Sequence, residues 1–153
     1  MIQRIQSIYL FLAAILITAV YFLPLLGMEG NENIVYTFYT NGVLMDGQQT
    51  LILSTWPVSI MVGAIALLLF INIFLYKRRI IQMRICIYSI LLILGLYFLI
   101  WFYQNQFSAQ IPIEEVQYFY GLIFPLLAIV FIWMAFKGIR KDERLVRSYD
   151  RIR

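Results

Sequence analysis

Histidine is absent from this sequence and cysteine occurs once, at Cys86. Imidazole acid–base catalysis, histidine-ligated metals, Cys-x-x-Cys redox chemistry and internal disulfides are thereby excluded. Charge is also scarce: Asp, Glu, Lys and Arg make up 13% of the chain, about half the share in a soluble domain. No glycine-rich phosphate loop is present. The formal net charge of +4 is too small to point to nucleic acid, and no nucleic-acid partner is expected. In excess are apolar side chains, 63% of residues, with aromatics at 17%. Such a chain collapses rather than stays solvated, so disorder is excluded and a membrane protein is implied.

A bilayer core of about 30 Å needs roughly 20 apolar residues in helix. Four stretches meet this and carry no Asp, Glu, Lys or Arg: residues 8–26, 56–76, 85–103 and 118–136. The first is longer than a signal-peptide core and lacks a small-x-small cleavage site, so it is expected to remain as an anchor. The expected fold is an all-α membrane protein, a four-helix transmembrane bundle running up-down-up-down as a single domain over residues 1–153.

Orientation follows from Lys and Arg. Arg4 precedes the first span, Lys77, Arg78, Arg79 and Arg84 join the second to the third, and the other basic residues follow the fourth. The two remaining loops hold Glu29, Glu32, Asp46, Glu114 and Glu115 and no basic residue. The positive-inside rule then puts both termini in the cytoplasm. Tyr9, Tyr21, Trp56, Tyr76, Trp101, Tyr103, Tyr118 and Phe136 near the span ends suit interfacial belts.

The first outer loop, residues 27–55, contains two β-branched and aromatic runs, with turn dipeptides at Asn41-Gly42 and Asp46-Gly47. A small β-hairpin, as a two- or three-stranded sheet, is expected there, resting on the span ends, because an isolated hairpin is marginal in water. KRRIIQMR reads as a short helix–helix link. In the second loop Pro112 is expected to open the first turn of the fourth helix, with Glu114 and Glu115 at its N-terminus.

The tail, residues 137–153, reads as a cytoplasmic amphipathic helix. Arg140, Arg144, Arg147 and Arg151 recur at helical spacing, and Leu145, Val146, Tyr149 and Ile152 share a neighbouring face. With Lys141 and Arg153 these arginines are candidate contacts for anionic lipid or for a protein partner. Topology control alone is the third reading.

Within the spans, Asn72 is the most polar side chain. At ~100° per residue Ser59, Gly63 and Ala66 form one small-residue face and Asn72 looks the opposite way, toward a neighbouring helix. Gly121, Ala128 and Ala135 recur every seventh residue of the fourth span. Both sets are candidate helix-packing stripes. Pro125, inside that span, is expected to kink it. Cys86 reads as a buried inert thiol. The outer carboxylates lie in what read as loops, with no shared motif. No catalytic, cofactor or metal site is expected.

The two ends, MIQRIQSIYLFLAAI and KDERLVRSYDRIR, resemble those of a bacterial family of small four-span inner-membrane proteins built on a domain of unknown function. Its members open with Met-Ile-Gln-Arg-Ile-Gln and close with an Asp-Glu-x-Leu-Val-Arg-Ser-x-Asp-Arg-Leu-Arg tail. Ile152 stands where Leu is expected, and Tyr149 where a small residue is common. The resemblance implies a bacterial inner membrane and directs attention to Arg4, Arg144, Arg147, Ser148, Asp150, Arg151 and Arg153. It implies no activity. With both ends cytoplasmic and the first and last helices adjacent, Gln3, Arg4 and Gln6 are expected to meet Asp150 or the tail backbone.

The functional expectation is a non-enzymatic accessory or scaffold subunit of an inner-membrane assembly, with the bilayer and a membrane-protein partner or further copies around it. The rival is an oligomeric small-solute transporter or channel, lined by Thr18, Ser59, Asn72 and Ser89.

Overall fold

The computed structural model describes residues 2–30, 34–45, 48–111 and 113–150, with the side chains of 2–4, 48–52, 77, 114 and 147–150 outside the description. The order is α1 (Ile2–Ala19), β1 (Leu26–Gly30), β2 (Val35–Tyr39), β3 (Gly42–Met45), β4 (Gln48–Ser54), α2 (Trp56–Phe74), α3 (Arg79–Ser108), β5 (Ile113–Tyr118) and α4 (Ile123–Asp150). Short 3-10 turns at Val20–Phe22, Leu75–Lys77 and Tyr120–Leu122 join them.

Each helix buries one stripe whose members alternate three and four residues apart. On α2 the stripe is Val58, Val62, Ile65, Leu69 and Asn72, and on α4 it is Ala128, Ile132, Ala135, Ile139 and Asp142. This is the spacing of left-handed helix packing, in which one seam faces the partner along its whole length. Accordingly α1 packs on α2 and α4, and α3 packs on the same two, closing a four-membered ring. The other faces carry large exposed apolar side chains such as Phe11, Phe70, Leu91, Phe98, Trp101 and Trp133. Water penalises such surfaces and lipid does not. The four helices are long and apolar enough to cross a membrane, as a multi-pass membrane protein requires.

The expected small hairpin is overturned. Five strands form one antiparallel sheet in the order β4-β3-β2-β1-β5, so the fold is a helical bundle capped by a sheet rather than an all-α bundle. The hairpin alone had nothing to bury its apolar side against. β1, which follows α1, and β5, which precedes α4, supply the missing width, pairing Leu26↔Tyr118 and Met28↔Val116. Leu26, Phe38, Val43 and Leu53 then line up across one face, and Met28, Tyr36, Met45 and Val116 form the next row. That face rests on α3, where Tyr36 meets the buried Phe107 edge-on at 5.3 Å between ring centroids.

Four further expectations are corrected. Glu114 and Glu115 lie in β5 and not at a helix start, while Pro112 lies outside the described residues. Pro125 sits in the first turn of α4, where its missing N–H has no partner to lose, so it starts the helix instead of kinking its middle. The tail is no separate surface helix: α4 runs unbroken from Ile123 to Asp150, because nothing in KGIRKDERLV except Gly138 disfavours helix. Likewise KRRIIQMR belongs largely to α3, which begins at Arg79.

Candidate functional site: the two ends of the bundle

At the end opposite the sheet, every helix turns polar inside. The apolar stripes continue one step further in register, and the next positions are Gln6 on α1, Asn72 on α2, Gln82 on α3 and Asp142 on α4, all buried. Gln6 Nε2 donates to Asp142 Oδ2 at 2.6 Å, tying the start of α1 to α4 across 136 residues. Gly138 makes room for this: a Cβ there would stand 3.0 Å from Gln6 Cγ. The Arg79 guanidinium donates to the Asp142 carbonyl at 3.2 Å, bringing the start of α3 to the same turn of α4. Gln82 Nε2 donates to the Asn72 carbonyl at 3.2 Å, and Asn72 Nδ2 to Cys86 Sγ at 3.3 Å. Asn72 Oδ1 and Ser89 Oγ are buried with no hydrogen-bond partner among the described residues. Together these contacts close the bundle with side-chain amides, a carboxyl group and one guanidinium.

Gln6 does reach the last helix, but through the Asp142 side chain and not through the expected Asp150 or tail backbone. The pairing of Arg4 with Asp150 concerns side chains outside the described residues. Of the tail cations, Arg140, Lys141 and Arg144 are exposed, and Lys137 lies over the Trp133 ring at 5.5 Å. The Arg147 side chain, Arg151 and Arg153 lie outside the described residues. Leu145 and Val146, the start of the apolar strip, are exposed.

The small-residue positions fall into two groups. Ala128 and Ala135 are buried on the inward seam of α4, and Gly121 is buried in the 3-10 turn just before it. A Cβ on Gly121 would collide with the Pro24 carbonyl, so this turn lies in direct backbone contact with the segment leading into β1. Ser59, Gly63 and Ala66 flank the seam of α2, half-buried. There the Tyr21 hydroxyl donates to the Ser59 carbonyl and stands 2.9 Å from a Cβ placed on Gly63.

At the other end the sheet is fastened to the helices. Thr55 Oγ1 donates to the Tyr39 and Thr40 carbonyls at 3.2 and 3.0 Å, and Ser59 Oγ to Asn41 Oδ1 at 2.9 Å. These bonds seat the Thr40–Asn41 turn, one residue earlier than expected, on the start of α2. The expected turn residues Asp46 and Gly47 lie outside the described residues. The Tyr97 hydroxyl donates to the Leu122 carbonyl, linking α3 to the approach to α4.

Glu29, Glu114 and Glu115, expected in loops, lie in strands. Glu29 and Glu115 are direct cross-strand partners of β1 and β5, and Gln117 Nε2 donates to Glu29 Oε1 at 3.0 Å. Glu32, Asp46 and the Glu114 side chain lie outside the described residues. Among the described residues no three of Asp, Glu and Cys gather as a metal site would require.

Sequence reading missed Gln6, Gln82 and Asp142 as a group. Their signal was present: each extends an apolar seam by three or four residues, Gln6 before Leu10, Gln82 before Cys86 and Asp142 after Ile139. A polar residue in seam register is a buried polar residue in search of a partner.

No curated protein matches this sequence. A family model described as Domain of unknown function (DUF4293) matches residues 2–152, nearly the whole chain, and the protein belongs to that family.

Proposed function

We propose that this protein is a non-enzymatic accessory or scaffold subunit of a bacterial inner-membrane assembly. Its polar, basic end lies in the cytoplasm and its sheet outside. The orientation rests on charge: Arg78, Arg79, Arg84, Lys137, Arg140, Lys141 and Arg144 all belong to the end away from the sheet, and Glu29 and Glu115 to the sheet. The bacterial membrane rests on the resemblance of the two chain ends.

One observation carries the scaffold reading. A five-stranded sheet assembled from two separate loops is fastened to the start of α2 by Thr55 and by the Ser59–Asn41 bond, while the bundle beneath it is filled by side chains. A sheet so fixed presents two edge strands, β4 and β5, and strand edges are ready templates for another chain. The residues named for a pore share no surface. Asn72 and Ser89 are buried in the bundle, Ser59 bonds Asn41 beside the sheet, and Thr18 is exposed, with its hydroxyl on its own helix at Ala14.

Photo-crosslinking residues placed at Glu115 and Gln117, both exposed on β5, test this in native membranes. The scaffold reading expects a discrete adduct with a second membrane protein. Self-adducts alone, together with solute flux in liposomes, would favour the pore.

A further inference from the structure

Beside the polar closure lies a cavity of about 600 Å³, between the α2–α3 connection and the end of α4. Its walls are Tyr76, Arg78, Arg79, Ile80, Ile81 and Val146, with Glu143 completing the lining. We propose that this cavity binds one anionic phospholipid, with the phosphodiester on Arg78 and Arg79 and the first acyl carbons against Ile80 and Ile81, where α3 runs from Arg79 toward the membrane.

Depth supports a lipid. Trp56 and Tyr76 are both exposed and lie at opposite ends of the second crossing. At 1.5 Å per residue they are ~30 Å apart, one hydrocarbon thickness. The cavity beside Tyr76 therefore opens at the level of the headgroups. Its chemistry is divided as a lipid's is. Ile80, Ile81 and Val146 are 44, 37 and 43% exposed, an apolar surface left open next to two guanidiniums.

Charge complementarity selects the headgroup. Two arginines and one glutamate leave the lining with a single excess positive charge, the complement of a phosphodiester monoanion. Arg79 is held in place before any lipid arrives, because one of its nitrogens donates to the Asp142 carbonyl. A guanidinium has five N–H donors, so others remain for phosphate oxygens. The first turn of α3 contains no acidic residue, and the helix dipole adds to the same potential. The size is that of a ligand site, which typically spans about 300–1,000 Å³. This site is distinct from the exposed face of Lys137, Arg140, Lys141 and Arg144, which lines a separate, smaller hollow.

Native mass spectrometry of the full chain in a neutral detergent tests the assignment. Phosphatidylglycerol or phosphatidylcholine is added at equal concentration, with α-glycerophosphate and inorganic phosphate as soluble competitors. One retained phosphatidylglycerol per chain is expected, with phosphatidylcholine held at least about fivefold more weakly. Arg78→Gln should weaken retention roughly fivefold, the usual effect of one basic residue at a membrane surface. The pair Arg78→Gln with Arg79→Gln should remove most of it, and Lys141→Gln with Arg144→Gln should change it less than twofold. Arg78 makes none of the closing bonds, so its variant retains the wild-type melting profile and separates binding from folding. Equal retention of the two lipids, or loss confined to the Lys141/Arg144 variant, overturns the proposal. Displacement by inorganic phosphate or glycerophosphate at the same concentration as lipid also overturns it, by assigning the site to a soluble phosphate.

Discussion

Replacing either partner of the Gln6–Asp142 bond should loosen the whole basic end of the bundle. Both side chains are almost fully buried, at 7 and 8% exposed, and the bond is short at 2.6 Å. Asp142→Ala leaves the Gln6 amide without an acceptor in a site that water barely reaches. Stranding a buried donor costs about 1–3 kcal/mol. A loss of about 2 kcal/mol raises the unfolding equilibrium constant roughly thirtyfold. Gln6→Ala costs as much or more, since the methylene packed at Gly138 is lost too. Asp142→Asn keeps an oxygen acceptor at the same place and should cost less than about 1 kcal/mol. SDS titration of the protein in mild micelles, followed by circular dichroism, reads all three. The double variant Gln6→Ala with Asp142→Ala should fall short of the summed single losses by about 1–2 kcal/mol, because one bond is counted twice. Single-variant losses below about 0.5 kcal/mol, or strict additivity, would refute the claim that this bond closes the bundle.

Four further outcomes follow from particular contacts. Gly121→Ala should destabilise by about 1–3 kcal/mol in the same titration, because its Cβ meets the Pro24 carbonyl, which has no rotamer to escape into. Gly138→Ala should cost less, since the facing Gln6 is a flexible side chain. Asn72→Leu should change stability by less than about 1 kcal/mol, because the weak bond to the Cys86 sulfur is lost together with a buried oxygen that has no partner among the described residues, while the backbone carbonyl that Gln82 uses stays. If that variant folds normally but fails to complement a deletion strain, Asn72 has a role beyond packing. Glu115→Lys should stabilise the sheet by about 0.2–1 kcal/mol, since it turns a like-charge cross-strand pair with Glu29 into an attractive one. Slower amide exchange in β1 and β5 would register that gain.

The helices were legible because each crossing is a long run without a charged residue, and a bilayer leaves such a run few alternatives. The width of the sheet was not legible. β1, Leu26–Gly30, contains two glycines and adjoins the first apolar run, so it reads as the end of a span followed by a loop. β5 begins beside Pro112 and carries two adjacent glutamates, which mimic a helix start. Neither strand is stable by local preference. β5 exists because β1, nearly ninety residues away in the chain, supplies its hydrogen bonds (Met28↔Val116 among them), and β1 is held between β5 and β2. Non-local pairing of that kind leaves little trace in one sequence. The polar closure was half legible: the meeting of the chain ends follows from helix adjacency, whereas the choice of Asp142 requires the seam of α4 to be carried past Ile139. The basic stripe was legible as a pattern, yet its continuity with α4 was not. Amphipathic character looks the same in a helix that lies on a membrane and in one that extends a bundle.

The scaffold reading is tested most directly by extracting the tagged full chain from native membranes in a mild detergent, then sizing the complex and identifying its components by mass spectrometry. The account predicts a stoichiometric second membrane protein that crosslinks to β5 and is lost when that edge strand is blocked by proline at Gln117. A monodisperse assembly of this chain alone, conducting solute when reconstituted, would contradict it.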